Sequence, residues 1–207
     1  MKYLFVFSIL FFSSCGQKAR QLTTERATYI RELAKRVGTQ QLPFEYDMAK
    51  GNPDSRYNIN KYSLDTLFFD DLNGRVGGVL PDTSRYYGFI YYKVGDSLYP
   101  FLLIISKKGK VIDRKPIGIG HCGGLAIDIE SCVDKVSINK ELEIDLLYTM
   151  RGTAETNDAI PKTIKTCNSI SGKGTITKEG KIKITKGELE VCQYNTTINQ
   201  STSPSNH

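Results

Sequence analysis

The sequence predicts a mainly β, antiparallel fold: a meander closing into a sandwich or a partly open barrel, with one N-terminal α-helix. Three observations predict it. Alternation of apolar and polar residues with period two dominates from residue 62 onward. Turn signals recur at short spacing, at Pro81-Asp82-Thr83, Gly95-Asp96, Lys107-Lys108-Gly109-Lys110, Asn139-Lys140 and Lys178-Glu179-Gly180. Helical periodicity appears in one window only, near the N-terminus. The 207 residues are 40% apolar and include nine Phe and twelve Tyr, which excludes a wholly disordered chain and suffices for one sizeable core.

The helix is expected from Thr23 or Thr24 to Val37. Ala27, Ile30, Leu33, Ala34 and Val37 fall on one face, a threonine caps the start and Gly38 ends it. Its small and medium apolar side chains suit docking on the domain, with lying on a membrane as the alternative for a basic amphipathic helix. Residues 39–60 are punctuated by Pro, Asn, Asp and Gly, with a turn at Gly51-Asn52-Pro53-Asp54. Strands are expected at Tyr62–Phe69 and Arg75–Leu80. Arg85–Val94 and Leu98–Ser106 form a hairpin, and Val111–Ile119 extends the meander. Gly120-His121-Cys122-Gly123-Gly124 breaks the pattern. Cys132–Ile138 and Leu142–Met150 follow, then a polar loop to Pro161 and a weaker strand at Ile164–Ile170. Gly174–Thr185 reads as a hairpin with Ile176, Ile182 and Ile184 toward the core and Lys181 and Lys183 toward water. Glu188–Tyr194 closes the domain.

The N-terminus has its own logic. One lysine, Lys2, precedes the mostly apolar run Tyr3–Phe12, and Ser13-Ser14-Cys15-Gly16 supplies small residues after it. That is the layout of a secretory signal peptide, too short for the ~20 residues a membrane span takes. Phe12-Ser13-Ser14-Cys15 resembles the lipobox of bacterial lipoproteins, in the serine-rich form familiar among small uncharacterised lipoproteins of the Bacteroidota. Phe12 stands where the usual pattern has Leu. The resemblance covers about 16 residues and implies acylation of Cys15, which becomes the new N-terminus and ties the chain to a lipid bilayer. No Asp and no acidic cluster follows Cys15. By the resemblance this implies an outer-membrane lipoprotein facing the periplasm, with surface display as the alternative. The chain thus divides into a signal peptide (1–14), a tether (15–22), a single β-rich domain with its helix (23–194) and a disordered tail (195–207).

Setting Cys15 aside leaves Cys122, Cys132, Cys167 and Cys192, an even number that in an exported chain implies disulfides. The most local pairing is Cys122–Cys132 with Cys167–Cys192. No zinc-ligand spacing occurs, and neither a metal nor another cofactor is expected.

Several groups are candidates for chemistry or binding. Alternation places Tyr87, Phe89 and Tyr91 on one strand face, which if exposed offers aromatic surface to a glycan or a peptide. The plainer reading is strand propensity. The C-terminal lysines 162, 165, 173, 178, 181, 183 and 186 read as a solvated strand face, with anionic headgroups or glycans as the alternative. Asp70-Asp71-Leu72-Asn73-Gly74 carries oxygen ligands but reads as a turn. Asp65-Thr66-Leu67 and Asp96-Ser97-Leu98 resemble the periplasmic O-glycosylation pattern of the Bacteroidota, which implies Thr66 and Ser97 as acceptors. No nucleophile–base motif, Walker loop or H-E-x-x-H occurs. The expected function is therefore a non-enzymatic envelope lipoprotein that binds an envelope protein or glycan and no nucleic acid. The alternative is an envelope hydrolase using carboxylates near Asp128, Glu130 or Asp134.

Overall fold

The computed structural model describes residues 4–50, 53–60, 63–71, 73–82, 84–95, 98–120, 128–155 and 163–192, without the side chains of 4–20, 49, 154 and 155. Among the described residues one α-helix, α1 (Leu4–Val37), precedes eleven strands. They are β1 (Phe44–Asp47), β2 (Tyr57–Asn58), β3 (Arg75–Val79), β4 (Tyr86–Val94), β5 (Leu98–Ser106), β6 (Val111–Pro116), β7 (Asp128–Ile138), β8 (Glu143–Glu155), β9 (Thr163–Ile176), β10 (Ile182–Lys186) and β11 (Glu190–Val191). Strands β2-β3-β4-β5-β6 form one antiparallel sheet. Strands β1-β7-β8-β9-β10 form the other, with β11 also beside β9. The two sheets pack on each other as a sandwich, and no closed barrel forms.

The layers number three. Between the sheets lie Tyr86, Ile90, Tyr92, Leu102 and Ile104 of the first sheet, against Val136, Ile138, Ile144, Leu146, Ile176 and Ile182 of the second. On the other side of the first sheet, Ile30, Leu33 and Val37 of α1 cover Val76, Tyr87, Phe89, Tyr91, Leu103 and Ile105, together with Phe68 and Phe69. The first sheet is thus buried on both faces. This explains the near-continuous apolar run of β4, where every residue from Tyr86 to Tyr92 is buried.

The hairpin β4–β5 runs in unbroken register from Tyr86↔Ser106 to Val94↔Leu98. Ile176 and Ile182 face the core as expected, and Lys181 and Lys183 are exposed. Three expectations are corrected. The helix starts upstream of Thr23. The helix runs on through the apolar N-terminal segment from Leu4, and the one glycine ahead of Thr23, Gly16, costs about 1 kcal/mol without ending it. Of the strand expected at 62–69, the described residues 63–69 do not form one: Leu64–Leu67 is a 3-10 turn whose cap, Ser63, accepts the Asp65 N–H. Local side-chain bonds there replace a ladder. Strands β7, β8 and β9 also run farther than the alternation indicated, β8 into the expected polar loop.

That extra length has a consequence for packing. None of the apolar residues of 128–133 or 149–170 belongs to either core cluster. The far halves of β7, β8 and β9, with β11 beside β9, form a ribbon that lies outside both core clusters. Cys167 on β9 is bonded to Cys192, with Cα atoms 5.0 Å apart. Cys132 on β7 is also disulfide-bonded; Cys122 lies outside the described residues.

Candidate functional site

The aromatic face predicted as a binding surface is not open. Tyr87, Phe89 and Tyr91 are 9%, 0% and 0% exposed. They lie beneath α1 and the 57–70 segment, with Phe69 edge-on to Phe89 and Tyr91 at centroid distances of 6.2 and 5.3 Å. The Tyr91 hydroxyl donates to Asp70 Oδ1 at 2.9 Å. Burial, the bond to Asp70 and that carboxylate's charge all push the phenol up from its ordinary value. The signal for this was present in the sequence. A strand apolar on both faces asks for two covering layers, and the amphipathic helix was the second.

The three carboxylates of the hydrolase reading do not meet. Asp134 is fully buried and faces the space between the sheets. Asp128 and Glu130 are exposed on the ribbon, Glu130 lying 3.7 Å from Lys165. Their even spacing suggests a shared face, but the β7–β8 register shifts between Ile129 and Ser131. One extra residue there reverses the alternation and turns Asp128 to the face opposite Asp134. Asp134 also lies six residues from Asp128, about 20 Å along an extended strand.

Around Asp134 stand three tyrosines. Gly120 donates its N–H to Asp134 Oδ2 at 3.2 Å. The approach of Gly120 to Tyr148 leaves no space for a side chain, since a Cβ would lie 2.6 Å from the ring. Burial, with the Asp134 charge second, raises the pKa of Tyr46 and of Tyr148, and pushes Tyr99 up to about 12. This is one buried carboxylate ringed by phenols. Among the described residues no group of three or more His, Cys, Asp and Glu side chains gathers there. His121, the sequence neighbour of Gly120, lies outside them.

A second buried carboxylate, Asp65, fastens the helix. Its Oδ1 accepts the Tyr29 hydroxyl of α1 at 2.5 Å, and its Oδ2 accepts the Tyr57 hydroxyl and the Asn60 N–H, both at 2.7 Å. Burial first, and then the bond to Asp65, raises the Tyr29 and Tyr57 phenols. Next to it Thr66, the predicted O-glycan acceptor, is exposed on the 3-10 turn and donates to the Ser63 carbonyl at 3.3 Å. Ser97 lies outside the described residues. Asp65 had no signal in the sequence beyond the glycosylation pattern.

The acidic turn at residues 70–74 has its oxygens occupied by protein. Asp70 Oδ2 lies 2.7 Å from Lys93 Nζ and 3.2 Å from Arg114 Nη1. Asp71 accepts the backbone N–H groups of Asn73 and Val94. Burial works to raise the Asp70 pKa, but the bonds from Lys93 and Tyr91 and the nearby positive charges outweigh it and hold the carboxyl below its usual range.

Two of the surface depressions bear on function. One, of about 480 Å³, lies on the outer face of the second sheet and is lined by Glu45, Asp47, Lys135, Ser137, Asp145 and Leu147. The other, of about 640 Å³, lies between α1 and the β5–β6 turn and is lined by Thr23, Thr24, Ala27, Arg31, Lys107 and Lys108. Cys15 sits in α1, about 12 Å along the helix axis from Thr23. No protein-family model, curated protein or solved structure matches the chain.

Proposed function

We propose that the protein is an envelope lipoprotein, acylated at Cys15 and held at the outer membrane facing the periplasm. Its β-domain acts as a non-enzymatic binding module for an envelope protein or glycan. The observation that carries this reading is the Ser13-Ser14-Cys15 ending of the apolar N-terminal run, in the first half of the helix whose later turns dock on the domain. The Cys167–Cys192 disulfide supports export, because such bonds persist in oxidising compartments. The dispersal of Asp128, Glu130 and Asp134 weighs against hydrolysis. With the aromatic face covered, the partner's place is the depression beside Tyr46 and Leu147 on the outer face of the second sheet.

The test is fractionation of cells carrying the full chain and its Cys15→Ala variant. The unaltered protein is expected in the membrane pellet after a high-salt wash, and the variant in the soluble fraction. Two or three acyl chains anchor stably where one anchors marginally. A variant that stays in the washed pellet overturns the anchor. Cross-linking in intact cells followed by capture identifies the partner, and substitutions at Lys135 and Leu147 are expected to weaken that capture.

A further inference from the structure

We infer that the domain lies against anionic lipid headgroups through a basic surface where the tether enters, built from Arg26 and Arg31 of α1 and Lys107, Lys108 and Lys110 of the β5–β6 turn. This rests on the anchored reading and adds the orientation of the body and the lipid it contacts.

The surface is assembled from two segments far apart in sequence. The turn closes on itself: Ser106 Oγ accepts the Lys110 N–H at 3.0 Å, and the Gly109 N–H bonds to the Ser106 carbonyl at 2.9 Å. Gly109 has φ +73° and lies so close to α1 that a Cβ would stand 2.7 Å from Arg26 Cβ. Only glycine reaches that conformation without cost and lets the turn touch the helix. Lys107 is held by its ammonium over the Tyr87 ring, 3.6 Å from the centroid. Between turn and helix lies the depression of about 640 Å³ that Arg31, Lys107 and Lys108 border.

The acidic groups nearby are few. Glu25 accepts a bond from Gln21, and Asp82 lies close enough to Arg85 and Lys107 to feel both charges. Residues 16–37 hold six cationic and two acidic side chains. Helix geometry sets Arg26 about 16 Å and Arg31 about 24 Å along the axis from Cys15. With α1 inclined along the bilayer instead of standing on it, a lipid-bound Cys15 brings this surface to headgroup level, where each Lys or Arg adds about fivefold to partition onto an anionic bilayer. The ribbon of β7, β8 and β9, at the other end of the sandwich, then points away from the membrane.

The experiment uses the full chain with Cys15→Ala, so that acylation contributes nothing. Its partition is measured on vesicles of equal parts phosphatidylethanolamine and phosphatidylglycerol, and on phosphatidylcholine alone. Preference for the anionic vesicles is expected, falling as salt rises. Lys107→Gln with Lys108→Gln is expected to reduce that preference about twenty-five-fold, as two cations at about fivefold each. Arg31→Gln with Lys110→Gln gives an independent pair should the first impair folding. Lys50→Gln with Arg151→Gln, at the far end, is expected to change it less than twofold. Equal partition on both vesicle types overturns the inference and leaves the cations to an acidic protein partner. A far-end pair as damaging as the turn pair also overturns it. Neither result bears on Cys15 acylation, which the fractionation test reads separately.

Discussion

The two ends of the second sheet are built on different principles. Its near half, around Val136, Ile138, Ile144 and Leu146, presses on the first sheet and shares a core that excludes water. Its far half, the ribbon, contributes no apolar residue among the described ones to either cluster. There the cross-strand bond Cys167–Cys192 and a second disulfide at Cys132 stand where the near half has packing. By alternation Cys132 shares the inward face with Asp134, while Cys167 shares the outward face with Ser169 and Ser171. The difference teaches that a strand can extend past its core if covalent links restrain the unfolded chain, since chain-entropy stabilisation does not need buried area.

The comparison is open to direct attack, and the largest effect is expected in the packed part. Phe89→Ala removes a fully buried ring beneath α1 and is expected to cost about 3–5 kcal/mol, measured by urea unfolding. A loss below about 1 kcal/mol would mean that α1 does not cover this face. Replacing Cys167 and Cys192 together by Ser is expected to cost about 3 kcal/mol for a sequence separation of 25 residues. Amide exchange is expected to accelerate in 163–170 before it does in β4 and β5. Uniform acceleration would show that ribbon and core are one cooperative unit.

Asp65→Asn tests the fastening of the helix. The amide replaces an acceptor with a donor opposite the Asn60 N–H or a tyrosine hydroxyl, at an expected cost of about 1.5–3 kcal/mol. Calorimetry of the variant and the unaltered chain measures it. A graded effect follows from the tyrosines. Below pH 10.0 Tyr99 is neutral in both the folded and unfolded chain, so its contribution is complete. Above that the unfolded chain ionises first, because burial and the Asp134 charge hold the folded phenol up to about 12. Stability therefore falls as pH rises from 10.0 toward 12. Tyrosinate absorbance that appears fully below the unfolding transition would contradict it. The smallest effect belongs to the ribbon surface: Glu130→Ala removes a partly exposed pair and is expected to shift stability by less than about 1 kcal/mol.

How much was readable depended on what each residue faces. The hairpin β4–β5 was legible to its ends, because aromatic and β-branched runs on both sides of Gly95-Asp96 leave the register little freedom. The segment at Leu64, Thr66 and Phe68 alternates like a strand, yet the pattern arises because Asp65 and Phe68 bury themselves from a 3-10 turn. Asp65 and Asp134 were not recognisable as buried. A carboxylate goes inside only where distant hydroxyls and N–H groups receive it, and those partners come from α1, from Tyr57 and from Gly120. The bulge that separates Asp128 from Asp134 was equally silent, since a single extra residue leaves no mark on composition.

By itself the sequence determined the fold class, the hairpins, the helix that Gly38 ends, the even set of body cysteines and the apolar N-terminal run ending at Cys15. These are local properties of period, turn chemistry and residue type. Tertiary structure alone decided that Tyr87, Phe89 and Tyr91 are core and that the three carboxylates are scattered. It also decided that Lys107 and Lys108 join Arg31 across a shared depression. The physical reason is that burial and charge clustering are properties of pairs of surfaces, and a strand's pattern says which residues share a face but not what covers it.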